Sequence, residues 1–270
     1  MKRFADLGLK KEIVDVLSNL HFKEATEVQE TIIPLALKGK NVVFTSRTGS
    51  GKTLAYLLGY VSKINRKLGI QMVVLVPTRE LCIQVGKEMT RVCEPLGIKV
   101  GMLYGGREIA GDSITINKKN HIMVGTPGRL IQHVNAKRIK VGDVKYLVYD
   151  ESDQMFDHGF FDECVYFKRR VSTDAQIIFS SATINEKVNQ FIEIELGDYE
   201  LLKIGELIPK NIQQEIIFCP IPEKKEVVLN FLQQNKFKRI MLFCNRKDKT
   251  SEITRFLSEH NYRARELNSD

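Results

Sequence analysis

The chain has little cysteine, and its five cysteines do not form a metal or disulfide framework. They are odd in number and widely spaced, and no Cys-x-x-Cys pair occurs. This pattern indicates small buried side chains in a reducing compartment. The sequence also lacks a secretory leader and any apolar run of membrane-spanning length. We therefore expect a soluble intracellular protein, cytoplasmic or nuclear, with no membrane partner.

Internal repeats and low-complexity tracts are also absent from the 270 residues. A content of 43% hydrophobic and 27% charged residues is typical of globular chains. The length exceeds the usual size of one domain, which favours one complete domain and part of another. The net charge of +8 favours a polyanionic partner but does not identify the polyanion.

Apolar segments of strand length alternate with amphipathic helical segments along the first two thirds of the chain. The predicted strands span residues 41–45, 72–76, 98–104, 121–126, 144–149 and 176–180. This alternation predicts an α/β fold in which a parallel sheet is covered by helices on both faces. We place this first domain at residues 1–204.

A polar segment that contains proline, residues 205–214, interrupts the pattern and predicts an interdomain linker. A second α/β cycle follows in residues 215–270. Its predicted strands span 215–219, 239–245 and 263–267, and its predicted helices span 223–234 and 249–260. Three strands and two helices amount to only part of a doubly wound domain.

A glycine-rich loop follows the first predicted strand and precedes a helix predicted over residues 53–68. Its residues are Ser46, Arg47, Thr48, Gly49, Ser50, Gly51, Lys52 and Thr53. Ser46 stands where a P-loop usually has glycine. The glycines let backbone amides surround phosphates, the lysine supplies a cation, and the threonine hydroxyl can bind Mg²⁺. A surface loop is the alternative interpretation.

Two adjacent carboxylates, Asp150 and Glu151, directly follow the apolar strand predicted over 144–149. Ligands of open α/β sheets bind at the carboxyl ends of such strands. One carboxylate can hold Mg²⁺ while the other orients water. The same residues could instead cap a helix on a solvated surface.

The P-loop, the Asp150-Glu151-Ser152-Asp153 segment and the Ser181-Ala182-Thr183 segment occur in an order that resembles the DEAD-box ATP-dependent RNA helicases of superfamily 2. The resemblance covers essentially the whole chain. It implies a RecA-like sheet flanked by helices, a partial second RecA-like domain, ATP and Mg²⁺ as cofactors, and RNA as partner. Ser152 stands where the family has alanine. The sequence identifies no protein partner.

The resemblance also implies roles for these residues. The loop residues from Ser46 to Thr53 would bind the nucleotide, with Lys52, Asp150 and Glu151 as catalytic residues. Thr53 and Asp150 would hold Mg²⁺, and Glu151 would position water. The residues that couple nucleotide state to domain closure would be Asp153, Ser181 and Thr183.

Residues 21–29 resemble the family's adenine-recognition segment, although both of its prolines are replaced. Thr26 and Gln29 are retained, and Phe4 matches an isolated upstream aromatic residue. The resemblance implies that Gln29 reads the adenine edge and that Phe4 stacks on the ring. The alternative is that Phe4 anchors the core and Gln29 is a surface helix residue.

Three further segments resemble the family's RNA-contacting motifs, and their residue types suit recognition of sugar and phosphate rather than bases. The implied RNA-binding residues are Pro77, Thr78, Arg79, Gly106, Thr126 and Arg129. Each segment by itself is also ordinary turn chemistry between a strand and a helix. Residues 242–247 resemble the motif that opens the RNA surface of the second domain.

Nothing after Asn245 resembles the family's Arg-Gly-Asp or His-Arg-x-Gly-Arg-x-x-Arg motifs, whose arginines complete the γ-phosphate site. We therefore expect an ATP hydrolase and RNA helicase that is weakly active as this chain alone. A module that binds nucleotide and RNA without turnover is a second hypothesis. A P-loop ATPase that acts on DNA or protein is a third.

Overall fold

Seven parallel strands form one sheet in the order β3-β4-β2-β5-β6-β1-β7. The strands are β1 (Val42–Thr45), β2 (Met72–Leu75), β3 (Val100–Leu103), β4 (Ile122–Gly125), β5 (Tyr146–Tyr149), β6 (Gln176–Ser181) and β7 (Glu200–Lys203). The predicted α/β class and parallel sheet are confirmed. All six strands predicted for the first domain match β1 to β6 to within two residues at each end.

A computed structural model describes residues 1–106, 108–205, 213 and 215–268. The helices of its first part are α1 (Lys11–Asn19), α2 (Glu27–Leu37), α3 (Lys52–Val61), α4 (Arg79–Cys93), α5 (Ser113–Ile116), α6 (Pro127–Asn135), α7 (Ser152–Asp157), α8 (Phe161–Lys168) and α9 (Glu186–Glu195). The second part contains α10 (Lys224–Gln234) and α11 (Lys247–Glu259). Within the described ranges, no helix has the length and apolar character needed to cross a membrane.

The sheet has a hydrophobic core on each face, because successive side chains of a strand point to opposite sides. In β1, Val42 and Phe44 belong to one core and Val43 belongs to the other. Helices α1 to α4 cover the first face, and α6 to α9 cover the second. Strands buried on both faces read as continuous apolar runs, which is why the sequence predicted most of them.

Two features of the sheet and its helices differ from the sequence prediction. Strand β7 was not predicted, because it is an edge strand whose side chains are mostly exposed. Helix α3 ends at Val61, seven residues before the predicted end. The Gln71 side chain bonds the backbone N–H and C=O of Asn65, and the Asn65 side chain accepts from Lys67 N. These side-chain bonds stabilise a turn in place of further helix.

The chain divides into two compact units, Met1–Pro209 and Lys210–Asp270. Of the predicted linker, residues 205–214, only Gly205 and Gln213 are among the described residues. In the second unit, α10 and α11 pack through a small apolar cluster that includes Leu229 and Leu257.

The three strands predicted for this second unit were wrong, since none of its described residues is in a strand. Their apolar side chains are largely exposed, with Phe218 at 91% and Phe243 at 87%. An apolar run becomes a strand only when a neighbouring segment completes its hydrogen bonds, and the pattern of one segment does not report its neighbour.

Candidate functional site

The predicted motifs follow the carboxyl ends of the parallel strands and therefore lie along one edge of the sheet. The P-loop follows β1, the Asp150 segment follows β5, and Ser181 ends β6. These three strands are neighbours in the order β5-β6-β1. The proposed RNA motifs follow β2, β4 and β3, which are neighbours in that order and continue the sheet from β5. The strand order thus sorts the motifs into two adjoining groups.

The P-loop has the backbone that its glycines were predicted to provide. Gly49 and Gly51 have φ of 78° and 88°, a left-handed region that side chains rarely adopt. A Cβ atom on Gly51 would also overlap with the Gln29 amide. Lys52 is 7% exposed, and its Nζ has no hydrogen-bond partner among the residues that the structure describes. A buried cation at the N-terminus of α3 fits an anionic phosphate.

The other P-loop residues differ in their exposure. Ser46 is buried, and its hydroxyl lies 3.1 Å from that of Ser50. Arg47 and Thr48 are exposed at the tip of the loop. The first residue of the loop is therefore buried, and the two residues that follow it are open to solvent.

Thr26 and Gln29 are bonded to the P-loop as well as to each other. The Thr26 hydroxyl donates to Ser50 O at 2.8 Å, and Gln29 Nε2 donates to Gly51 O at 3.1 Å. Gln29 Oε1 accepts from Thr26 N at 3.0 Å, which completes a capping box at the start of α2. Gln29 is 4% exposed, so it is not a surface helix residue.

Phe4 lies in the hydrophobic core and is 2% exposed. Stacking on adenine requires an accessible ring face. This placement therefore supports the core-anchor interpretation of Phe4 rather than the stacking role.

Asp150 is a buried carboxylate whose two oxygens are both hydrogen-bonded. Tyr56 OH donates to Oδ2 at 3.0 Å, and Ser180 Oγ donates to Oδ1 at 2.9 Å. Carboxylate and hydroxyl oxygens, as in Asp150 and Thr53, are the hard ligands that Mg²⁺ prefers. The residues present fit the ion.

Glu151 has an unusual backbone and a perturbed carboxyl group. Its φ of 52° and ψ of 50° are left-handed, a conformation that costs a non-glycine residue about 1–2 kcal/mol. Burial and then the charge of Asp150 raise its pKa, while Lys52 acts in the opposite direction. A strained backbone and a carboxyl group with a raised pKa are both typical of residues in functional sites.

Asp153 joins the end of β5 to the segment after β6. Its Oδ2 accepts from both the backbone N–H and the hydroxyl of Thr183, each at 2.9 Å. Ser181 Oγ donates to Thr183 O at 2.5 Å. The structure therefore brings together the three residues predicted to couple nucleotide state to domain closure.

The RNA candidates are not equally accessible. Arg79 is exposed and its guanidinium lies 5.3 Å from the centroid of the Tyr104 ring. Gly106 is also exposed, with φ of 83°. Thr78 and Thr126 are half-buried at the starts of α4 and α6. Pro77 is buried.

Arg129 does not have the placement expected of an RNA ligand. It is 7% exposed, and its Nε donates to Asp112 Oδ2 at 2.7 Å. His133 Nε2 lies 2.8 Å from the same oxygen. Its role as a direct phosphate ligand is not supported by this burial. Asp112 was not among the predicted site residues, because no local pattern links it to a residue seventeen positions away.

Tyr56 and Ser180 were also missed as part of the site. A signal for each is present in the sequence. Tyr56 follows Thr53 by three positions on one helix, which predicts a shared face. Ser180 is a hydroxyl residue at the carboxyl end of a predicted strand, beside Ser181.

Comparison with known proteins gives consistent matches. Residues 26–191 match the family model described as DEAD/DEAH box helicase. The chain is 32% identical to the ATP-dependent RNA helicase CshA of Listeria monocytogenes, covering 100% of this chain and 52% of that protein. It is 31% identical to the DEAD-box ATP-dependent RNA helicase CshA of Geobacillus kaustophilus, of which it covers 58%. The chain thus spans about half the length of these relatives.

A solved structure is also similar. The DEAD box protein from the hyperthermophile Methanococcus jannaschii matches with a TM-score of 0.70 and 32% identity. The match covers 96% of this chain and 71% of that chain. The RecA-like parallel sheet flanked by helices is therefore shared with a solved DEAD box protein.

Proposed function

Because the chain belongs to the DEAD/DEAH box helicase family, we propose that it binds ATP, Mg²⁺ and RNA as part of an ATP-dependent RNA helicase. One observation carries this proposal. The strand order groups the phosphate, carboxylate and coupling motifs on β1, β6 and β5, and the RNA motifs on β2, β4 and β3. Two ligand sites along one sheet edge are what coupling of a nucleotide to a nucleic acid requires.

Each residue of the proposed nucleotide site has its own role. Lys52 and the amides of Gly49 to Gly51 hold phosphates, and Thr53 and Asp150 hold Mg²⁺. The ion, when bound, supplies positive charge to the phosphates. Glu151 orients the attacking water, and its raised pKa makes it a stronger base.

The coupling residues would transmit the nucleotide state through the hydrogen bonds between Thr183 and Asp153. Asp153 belongs to the segment that carries Asp150, and Thr183 follows β6. A change at the phosphates would therefore reach Thr183 through one carboxylate. The proposed RNA ligands are Thr78, Arg79, Gly106 and Thr126. Of the predicted set, Pro77 and Arg129 are left out because both are buried.

Adenine selectivity should reside in Gln29, whose second amide N–H and second oxygen lone pair are not used by its bonds to Gly51 O and Thr26 N. Replacing Gln29 by Ala removes a paired hydrogen-bonding group and its bond to Gly51 O, and should weaken ATP binding by about 1–3 kcal/mol. Titration of the chain with ATP and with GTP measures the effect. Gln84→Ala, at an exposed position of α4, is the control and should bind as the unmodified chain does. Equal affinity of the unmodified chain for ATP and GTP would contradict the assignment.

RNA binding should be tolerant of sequence and sensitive to salt, because the proposed ligands suit sugar and phosphate. Each phosphate neutralised adds about 0.7 to the slope of log affinity against log salt for a single strand. Arg79→Ala should therefore lower the slope by about 0.7. Lys87→Ala removes the same charge from an exposed position of the same helix and should leave the slope unchanged. A flat salt response would count against backbone recognition.

Two assays separate this proposal from its alternatives. ATP turnover with and without RNA distinguishes an enzyme from a binding module. Competition between RNA and its 2′-deoxy counterpart distinguishes an RNA ligand from DNA, because the 2′-hydroxyl is the difference between them. Equal binding of both strands would remove RNA as the specific partner.

A further inference from the structure

Both carboxylate oxygens of Asp150 accept a hydrogen bond from a neutral hydroxyl group. Tyr56, on α3, donates to Oδ2 at 3.0 Å, and Ser180, on β6, donates to Oδ1 at 2.9 Å. Asp150 is 3% exposed, and both hydroxyl residues are fully buried. Two different elements therefore fix the orientation of this carboxylate where water competes little.

We propose that Tyr56 and Ser180 are positioning residues for the magnesium ligand Asp150, an inference that rests on the proposed nucleotide-binding function. A carboxylate oxygen has two acceptor sites, so one hydrogen bond leaves the other site for the ion or its water. A lysine or arginine partner would oppose the cation by its own charge. Neutral hydroxyl groups orient the carboxylate and leave its charge available.

Tyr56 also lies near the other predicted metal ligand on the same helix. It follows Thr53 by three positions on α3, so both side chains lie on one face of the helix. One face of α3 therefore carries both the predicted metal ligand Thr53 and the phenol group that orients Asp150.

Other buried tyrosines show that this core does not require a carboxylate partner for a phenol group. The Tyr149 hydroxyl donates to the backbone oxygen of Cys164 at 2.9 Å. The Tyr146 hydroxyl is buried without a hydrogen-bond partner in the described part of the chain. Burial of a tyrosine in this core therefore does not by itself explain why Tyr56 is paired with Asp150.

Ser180 connects the same carboxylate to the coupling segment. Its backbone oxygen accepts from Ser152 Oγ at 3.0 Å, and the next residue is Ser181. The end of β6 is therefore bonded to both Asp150 and Ser152. Movement of the segment after β6 would reach the metal ligand through Ser180.

The test is the affinity of the chain for ATP, measured by calorimetry with excess Mg²⁺ and again with EDTA. The ratio of the two affinities is the metal enhancement. Tyr56→Phe keeps the ring and removes the hydroxyl, so the affinity in EDTA should stay nearly unchanged. The metal enhancement should fall roughly 10-fold, as expected when a partner of a metal ligand is lost. Ser180→Ala should also lower the metal enhancement, and it tests the same proposal if Tyr56→Phe folds poorly.

Tyr60→Phe is the matched control, because Tyr60 lies on the same helix and its ring stacks on Tyr146 at 4.5 Å between centroids. It should keep the full metal enhancement. Full enhancement in both Tyr56→Phe and Ser180→Ala would overturn the positioning role. Failure of the unmodified chain to bind ATP in either condition would instead contradict the proposed function.

Discussion

Replacing Asp112 by Ala should destabilise the first unit by about 3–5 kcal/mol, the loss typical when one partner of a buried ion pair is removed. The Asp112 side chain is 0% exposed, and that of its partner Arg129 is 6% exposed. The carboxylate also faces His133 at 2.8 Å. Its removal takes a hydrogen-bonded carboxylate away from a buried guanidinium, at a place where little water can replace it. Urea unfolding followed by circular dichroism measures the change.

An exposed ion pair provides the control for this experiment. Lys145 Nζ lies 2.6 Å from Asp174, and the two side chains are 48% and 68% exposed. Asp174→Ala should have a much smaller effect than Asp112→Ala, because solvent screens exposed charges. Equal losses in the two variants would show that burial does not decide the importance of Asp112. The result would also test whether Arg129 has a structural role.

The sequence predicted β1 to β6 but not the edge strand β7, because burial leaves a pattern that exposure does not. Strand β5 is apolar at every position, whereas β7 combines Glu200 and Lys203 with two apolar residues. An edge strand of this kind resembles a loop in composition. The apolar segments of the second unit produced the opposite error. They have strand composition without strand pairing, and pairing depends on residues far away in the sequence.

The predictions for the site likewise succeeded for features that one segment determines and failed for contacts between distant segments. Motifs that follow a strand were predicted at the correct edge, because parallel strands share one direction. The contacts between strands were not predictable from one segment. The hydrogen bond from Arg129 to Asp112 joins α6 to the residue before α5, and the hydrogen bond from Ser180 to Asp150 joins β6 to the segment after β5. These distant contacts decide which motif side chains face a ligand.

Replacing Glu151 by Gln should slow ATP hydrolysis about 10²–10⁴-fold, the usual contribution of a general base. Gln keeps the size of the side chain and the backbone demand of this left-handed position. The affinity for ATP with Mg²⁺ should stay nearly unchanged, because Lys52, Thr53 and Asp150 are retained. Single-turnover hydrolysis of labelled ATP measures the rate even when turnover by this chain is slow.

Ser152→Ala is the matched control within the same segment. Its hydroxyl donates to Ser180 O at 3.0 Å, so the substitution removes one buried hydrogen bond, worth about 1 kcal/mol of stability. The hydrolysis rate should change little, because the hydroxyl is turned toward β6. Loss of hydrolysis in Ser152→Ala together with normal hydrolysis in Glu151→Gln would reverse the assigned roles.

The stability of Glu151→Gln provides an independent readout of the same carboxyl group. Burial and the charge of Asp150 raise the Glu151 pKa in the folded state, so ionisation of this group opposes folding. Its contribution to stability is complete below the unfolded pKa and is lost as the pH rises through the folded pKa. Without ligand, Glu151→Gln should therefore melt at a higher temperature than the unmodified chain at neutral pH, and the difference should disappear in acid. A variant that melts at a lower temperature at neutral pH would show that the carboxylate stabilises the fold, which contradicts a site strained for function.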